Sequence, residues 1–137
     1  MRRERLELLE SALGRVRRNQ GPLLVGDEAR RVQWGAHQLD LTRYGSTRRV
    51  LWRLVQARRE APGTWLGKDQ VFQAAWPGQR IRGDSATHRV HVAVSNLRKL
   101  GLDGLVQTLD GAYRLDPGVP VRLEGGAPAR TPPGGAD

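Results

Sequence analysis

The chain has 137 residues, no cysteine and a formal charge of +9, with 23 Lys and Arg against 14 Asp and Glu. That length supports one domain with a single core, and the lack of cysteine excludes a disulfide framework, thiolate metal ligands and a cysteine nucleophile. Every cation except Lys68 and Lys99 is an arginine, the side chain best suited to phosphate and base edges, so nucleic acid is the first partner to consider, ahead of an acidic protein or an anionic surface.

Leu6, Leu9, Leu13 and Val16 recur at three- and four-residue steps among Arg and Glu, which predicts a basic amphipathic helix over residues 1–20, stopped by Gln20, Gly21 and Pro22. Its apolar stripe can pack on the rest of the domain, on its own copy in a homodimer, or on another protein. Glu4, Glu7 and Glu10 break up this segment, and no apolar run long enough for a membrane span follows. A soluble, cytoplasmic protein with no membrane partner is expected.

From Leu23 to Thr42 short apolar runs alternate with turn residues: LLV, GDEA, RRVQW, GA, HQLDLT. The pattern predicts two or three short antiparallel strands. Thr42 or Ser46 then starts a helix with Val50, Leu51, Leu54 and Val55 as its buried stripe, and Ala61, Pro62 and Gly63 end it. A shorter helix is expected from about Lys68 to Ala75, broken by Trp76, Pro77 and Gly78, and followed by a loop, Gly78 to Ser85.

The third predicted helix, Ala86 to Gly101, carries the sharpest pattern. At about 100° per residue, Val90, Val94 and Leu97 fall on one side with Ala86 and Ala93 at its margin, which marks the core face. His88, Val92, Ser95, Asn96 and Lys99 fall on the other, flanked by Arg89, His91 and Arg98. Such a face suits a major groove: Asn pairs bidentately with adenine, Ser and His bond base edges, and an outward Val meets a thymine methyl, while Arg and Lys hold phosphates. Leu105 to Leu115 then predicts a hairpin turning at Asp110 and Gly111. From Glu124 the composition falls to Gly, Pro and Ala, which predicts a disordered tail over 124–137. The folded domain is therefore expected over 23–123.

The run HRVHVAVSNLRKLG followed by VQTLDGAYRL resembles the C-terminal part of the OmpR/PhoB-type winged-helix DNA-binding domain. Leu97, Arg98 and Lys99 match the end of that family's recognition helix, and Gly111, Tyr113, Arg114 and Leu115 match the end of its wing. WGAHQLDLT resembles the strand leading into its first helix and AAWPG the end of its second, so the likeness runs in order from about Arg31 to Asp116.

The resemblance implies an α+β fold: a winged helix-turn-helix with a short, four-stranded N-terminal antiparallel sheet, a three-helix core and a C-terminal hairpin wing, here preceded by the extra N-terminal helix. It implies a transcriptional regulator that binds double-stranded DNA. Its base-reading positions fall on His91, Val92 and Asn96, beside which the helix face places Ser95. Its backbone contacts fall on Trp76, His88, Arg89, Arg98 and Tyr113, with Lys99 added from the face and Arg80 and Arg82 within reach from their loop. That loop touches RNA polymerase in the family. No receiver domain is part of the likeness.

Two departures bear on partners. His91 stands where the family usually has an acid, and Asp110 stands in a wing one residue short, where an arginine often reaches the minor groove. A carboxylate there repels phosphate, which favours the competing reading of a winged-helix protein–protein interaction module in a regulatory complex. An enzyme is not expected. His88, His91 and Asp84 have no further ligand at sensible spacing, so neither a metal nor a cofactor is predicted.

Overall fold

The computed structural model describes residues 21–80 and 83–124. The predicted helix bearing Leu6, Leu9, Leu13 and Val16, the side chain of Arg82, and the Gly/Pro-rich segment beyond Glu124 lie outside these residues.

Three strands open the fold: β1 (Leu23–Gly26), β2 (Arg31–Trp34) and β3 (His37–Asp40), paired antiparallel with Val25 opposite Val32 and Val32 opposite Leu39. Alternation sends Leu23, Val25, Val32 and Trp34 into the core. The β1–β2 turn is unusual in its backbone. Asp27, Glu28 and Ala29 all adopt left-handed conformations, with φ of 52°, 53° and 68°, at a cost of about 1–2 kcal/mol per residue. Burial of Ala29, an Arg30 amide bond to the Asp27 carbonyl (3.0 Å) and an Arg48 guanidinium bond to the Glu28 carbonyl (2.9 Å) hold the turn.

Helix α1 (Gly45–Glu60) buries Val50, Leu51, Leu54 and Val55, as their spacing predicts. It starts between the two expected residues: Thr42 lies in the preceding turn, closed by Tyr44 N to the Leu41 carbonyl at 2.9 Å, and its amide donates to the Asp40 carboxylate at 2.9 Å. That bonding holds the Asp40 carboxyl below the usual carboxylate range. A short strand, β4 (Leu66–Gly67), leads into α2 (Lys68–Ala75), where the Gly67 amide donates to Gln70 Oε1 at 2.9 Å and closes the helix start.

Helix α3 spans Gly83–Leu97, beginning three residues before the expected Ala86. The earlier start has a local cause, since Thr87 Oγ1 donates back to the Gly83 carbonyl (2.8 Å) and Asp84 lies in the first turn, where a negative charge suits the helix dipole. Gly83 to Ser85 are thus helical rather than loop. Past Leu97 the helix widens into a π turn, Arg98–Leu102, kinked at Gly101, whose φ of 121° is not helical.

The hairpin of β5 (Val106–Leu109) and β6 (Ala112–Leu115) turns at Asp110 and Gly111, with φ of 50° and 77°, the two positive values that a tight two-residue hairpin requires. β6 also pairs with β4, so the second sheet has the order β4-β6-β5. After β6 the chain doubles back to form β7 (Val121–Leu123), which corrects the all-antiparallel expectation for the first sheet: β7 runs parallel to β1, in the order β3-β2-β1-β7. Leu23 donates to the Pro120 carbonyl and Glu124 to that of Val25, each at 2.8 Å. Arg58 Nη2 reaches the carbonyls of Pro117 and Val119, both at 3.3 Å, and fixes the return path.

The described residues form an α+β architecture, three helices and two sheets around one core. Val50, Leu51, Val71, Val90 and Leu97 meet there, none of them exposed, each worth about 1.5–3 kcal/mol of burial for a side chain of this size.

Candidate nucleic-acid interface

Among the described residues, helix α3 is held by one face and left uncovered on the other. Ala86, Val90, Ala93, Val94 and Leu97 are buried against α1 and α2. His88, Arg89, His91, Val92 and Lys99 are exposed, and Ser95 and Asn96 are half-buried. Val92 is 42% exposed, an apolar side chain left in the middle of a polar, basic surface.

His88, Val92 and Asn96 follow one another at four-residue steps and form one side of a cleft. Trp76 at the end of α2 and Ser46 and Thr47 at the start of α1 complete it. Trp76 stacks on Phe72 with ring centroids 5.1 Å apart, and the Arg89 guanidinium lies 5.9 Å above the Trp76 ring. Arg89 Nη1 also donates to Gln79 Oε1 at 3.0 Å. The predicted contacts Trp76, His88, Arg89, Val92 and Asn96 are thus brought together, and among the described residues no carboxylate lines the cleft they form.

Other expected contacts are placed differently. Arg98 is half-buried and turned toward the hairpin, where Nη2 donates to the Val106 carbonyl (3.0 Å) and to Thr108 Oγ1 (2.8 Å). Tyr113 is 5% exposed, and burial pushes its hydroxyl above the ordinary tyrosine value, against the opposing charge of Arg98. Arg80 is exposed on the loop before α3. Lys99 projects from the π turn. His91 lies on the exposed side without lining the cleft.

Several arginines that composition alone would assign to an anionic partner are structural. Arg49 Nε donates to the Ala75 carbonyl at 2.8 Å and closes the end of α2. Arg114 lies 4.3 Å above the Trp65 ring and bonds Gln107 Oε1 and the Gly63 carbonyl. The positive surface left over is consequently more local than the charge of +9 suggests.

Sequence reasoning read Ser46 only as a helix start and did not single out Thr47 or Gln79. The cap-type residues before the α1 stripe carried the signal for the first two; nothing local marked Gln79. Among the described residues no three His, Cys, Asp or Glu side chains cluster to hold a metal ion, and no helix is long and apolar enough to cross a membrane. No protein-family model matches this chain, and no curated protein does.

Proposed function

We propose that the protein binds double-stranded DNA as a sequence-specific transcriptional regulator of the winged-helix kind, with α2 and α3 as the helix-turn-helix pair and β5–β6 as the wing. One observation carries the reading. The outward side of α3 offers exposed His88, His91 and Val92 and half-buried Asn96 beside a cleft lined by no described carboxylate, while the opposite face is locked in the core. An α-helix fits the major groove. Asn96 would pair with an adenine, Val92 would meet a thymine methyl, and Ser95 and His91 would bond neighbouring base edges, with Trp76, Arg89 and Lys99 along the backbone. The cytoplasm is the compartment proposed, and RNA polymerase a partner through the loop carrying Arg80. No catalytic role is assigned.

Selection of bound duplexes from a random pool tests this. A defined motif is expected, with affinity falling steeply as salt rises because neutralised phosphates release counterions. No enrichment at low salt overturns it.

A second reading has its own observation. At the hairpin tip Leu109 is 56% exposed beside the carboxylate of Asp110, a surface that suits a protein better than phosphate. On that reading the fold is an interaction module, and a stoichiometric protein partner retained without DNA, and lost on Leu109→Asp, supports it.

A further inference from the structure

The connection from α2 to α3 begins with a tight turn, Trp76 to Gln79, closed by the Gln79 amide donating to the Trp76 carbonyl at 3.2 Å. Pro77 and Gly78, with φ 78° at the glycine, are the residues a type II turn takes at its centre. The first corner of the turn is anchored. Trp76 stacks on Phe72, which is 3% exposed, and the Trp76 amide donates to the Phe72 carbonyl at 2.8 Å. The last corner, Gln79, is exposed, and its side chain crosses to α3, where Oε1 accepts from Arg89 Nη1 at 3.0 Å. The Arg89 guanidinium also lies 5.9 Å from the centre of the Trp76 ring, within cation–π range. Both corners of one turn thus grip a side chain ten residues beyond Gln79.

Arg89 is exposed, and a free arginine has much rotamer freedom to lose when it binds. One already held loses less. The acceptor is a neutral amide, so it directs the guanidinium without cancelling its charge and leaves most of its donors for another partner. A carboxylate at the same place would compete with an incoming anion, and among the described residues none lines the cleft that Arg89 borders. We infer that Gln79 is a positioning residue, which holds the Arg89 guanidinium over Trp76 so that it meets a backbone phosphate of the duplex with its charge intact. The inference rests on the DNA reading for the source of that phosphate.

The test uses the full chain and the duplex with highest affinity from the selection. Gln79→Ala is expected to lower affinity about 2- to 10-fold with the salt slope unchanged, because no charge is removed. Gln79→Glu keeps an acceptor but adds a competing charge, and lowers both the affinity and the slope, the latter by up to about 0.9. Arg89→Gln also lowers the slope by about 0.9. Adding Gln79→Ala to Arg89→Gln should cost nothing further, which separates positioning from general support of the turn. In the free protein, NMR of the Arg89 side chain reads the same contact without DNA: guanidinium rotation is slow in wild type and released in Gln79→Ala. A Gln79→Ala loss that persists in Arg89→Gln, an affinity equal to wild type, or rotation that Gln79→Ala leaves unchanged overturns the inference. Failure of the DNA reading looks different: wild type then binds no duplex, while Arg89 rotation still responds to Gln79→Ala, which removes the duplex as the source of the anion and keeps the held guanidinium.

Discussion

Gly101 and His37 meet where the end of α3 passes the edge of the first sheet: a Cβ added at Gly101 would lie 2.6 Å from His37 Nδ1. The backbone there has φ 121°, which side chains with a Cβ rarely adopt. Because His37 is exposed, its ring can swing aside, so the backbone is the larger obstacle. Gly101→Ala is expected to cost about 1–3 kcal/mol in urea denaturation. His37→Ala in the same protein should restore only a small part; full rescue would show that the steric contact, not φ, sets the cost.

Arg98 ties the end of α3 to the hairpin through Val106 and Thr108. Arg98→Gln is expected to loosen that joint by about 1–2 kcal/mol, seen as faster amide exchange in β5 and β6 with α1 unchanged. Thr108→Val should reproduce part of the effect. If Arg98 acts as this strut, the salt slope of duplex binding stays as in wild type. A slope reduced by about 0.9 would return Arg98 to the backbone contacts.

Tyr113 links the same hairpin to pH. Burial raises its ionisation above the ordinary value of 10.0, so the neutral hydroxyl is the form the fold favours. Its contribution is complete below the unfolded value and is lost as pH rises through the higher folded one. The two tyrosines are Tyr44 and Tyr113, and a Tyr44→Phe protein isolates the second in an absorbance titration at alkaline pH. The midpoint should lie above 10.0 and rise further in Arg98→Gln, since the Arg98 charge opposes the shift. A midpoint that does not move on that substitution would separate the two groups.

Asn96 and Val92 carry the proposed base reading. Asn96→Ala is expected to relax preference at one base pair, by about 1–3 kcal/mol of discrimination, while binding to unrelated duplex is kept. Val92→Ala should weaken preference for a thymine at a neighbouring step. Repeating the selection with each variant checks both; an unchanged motif for Asn96→Ala moves the reading face elsewhere.

Much of this was legible in the residues, and the reasons differ by element. The α3 core stripe was readable because Val90, Val94 and Leu97 repeat at helical spacing over about two turns. The hairpin was readable because Asp110 and Gly111 are the residue types its turn demands. β4 and β7 were not, being two and three residues long, too short for alternation to show; their existence depends on partners remote in the chain. The site divides the same way. Exposed His88 and Val92 follow from helix geometry, but sequence gives the charge of Arg98 without showing that its guanidinium bonds the Val106 carbonyl and the Thr108 hydroxyl. Thr47 joined the site through packing of α1 on α3, a relation no local pattern expresses.

The parallel pairing of β1 with β7 also fixes how the domain would bear load. The chain enters β1 beside the start of β7 and leaves β7 beside the end of β1, as Leu23 opposite Val121 and Val25 opposite Leu123 show. Tension applied through segments on either side would therefore pull the two strands lengthwise past each other. All their hydrogen bonds would be strained together instead of opening one at a time. Under such tension the short strand that closes the sheet would act as a clamp loaded in shear, keeping the force off α3 and its cleft.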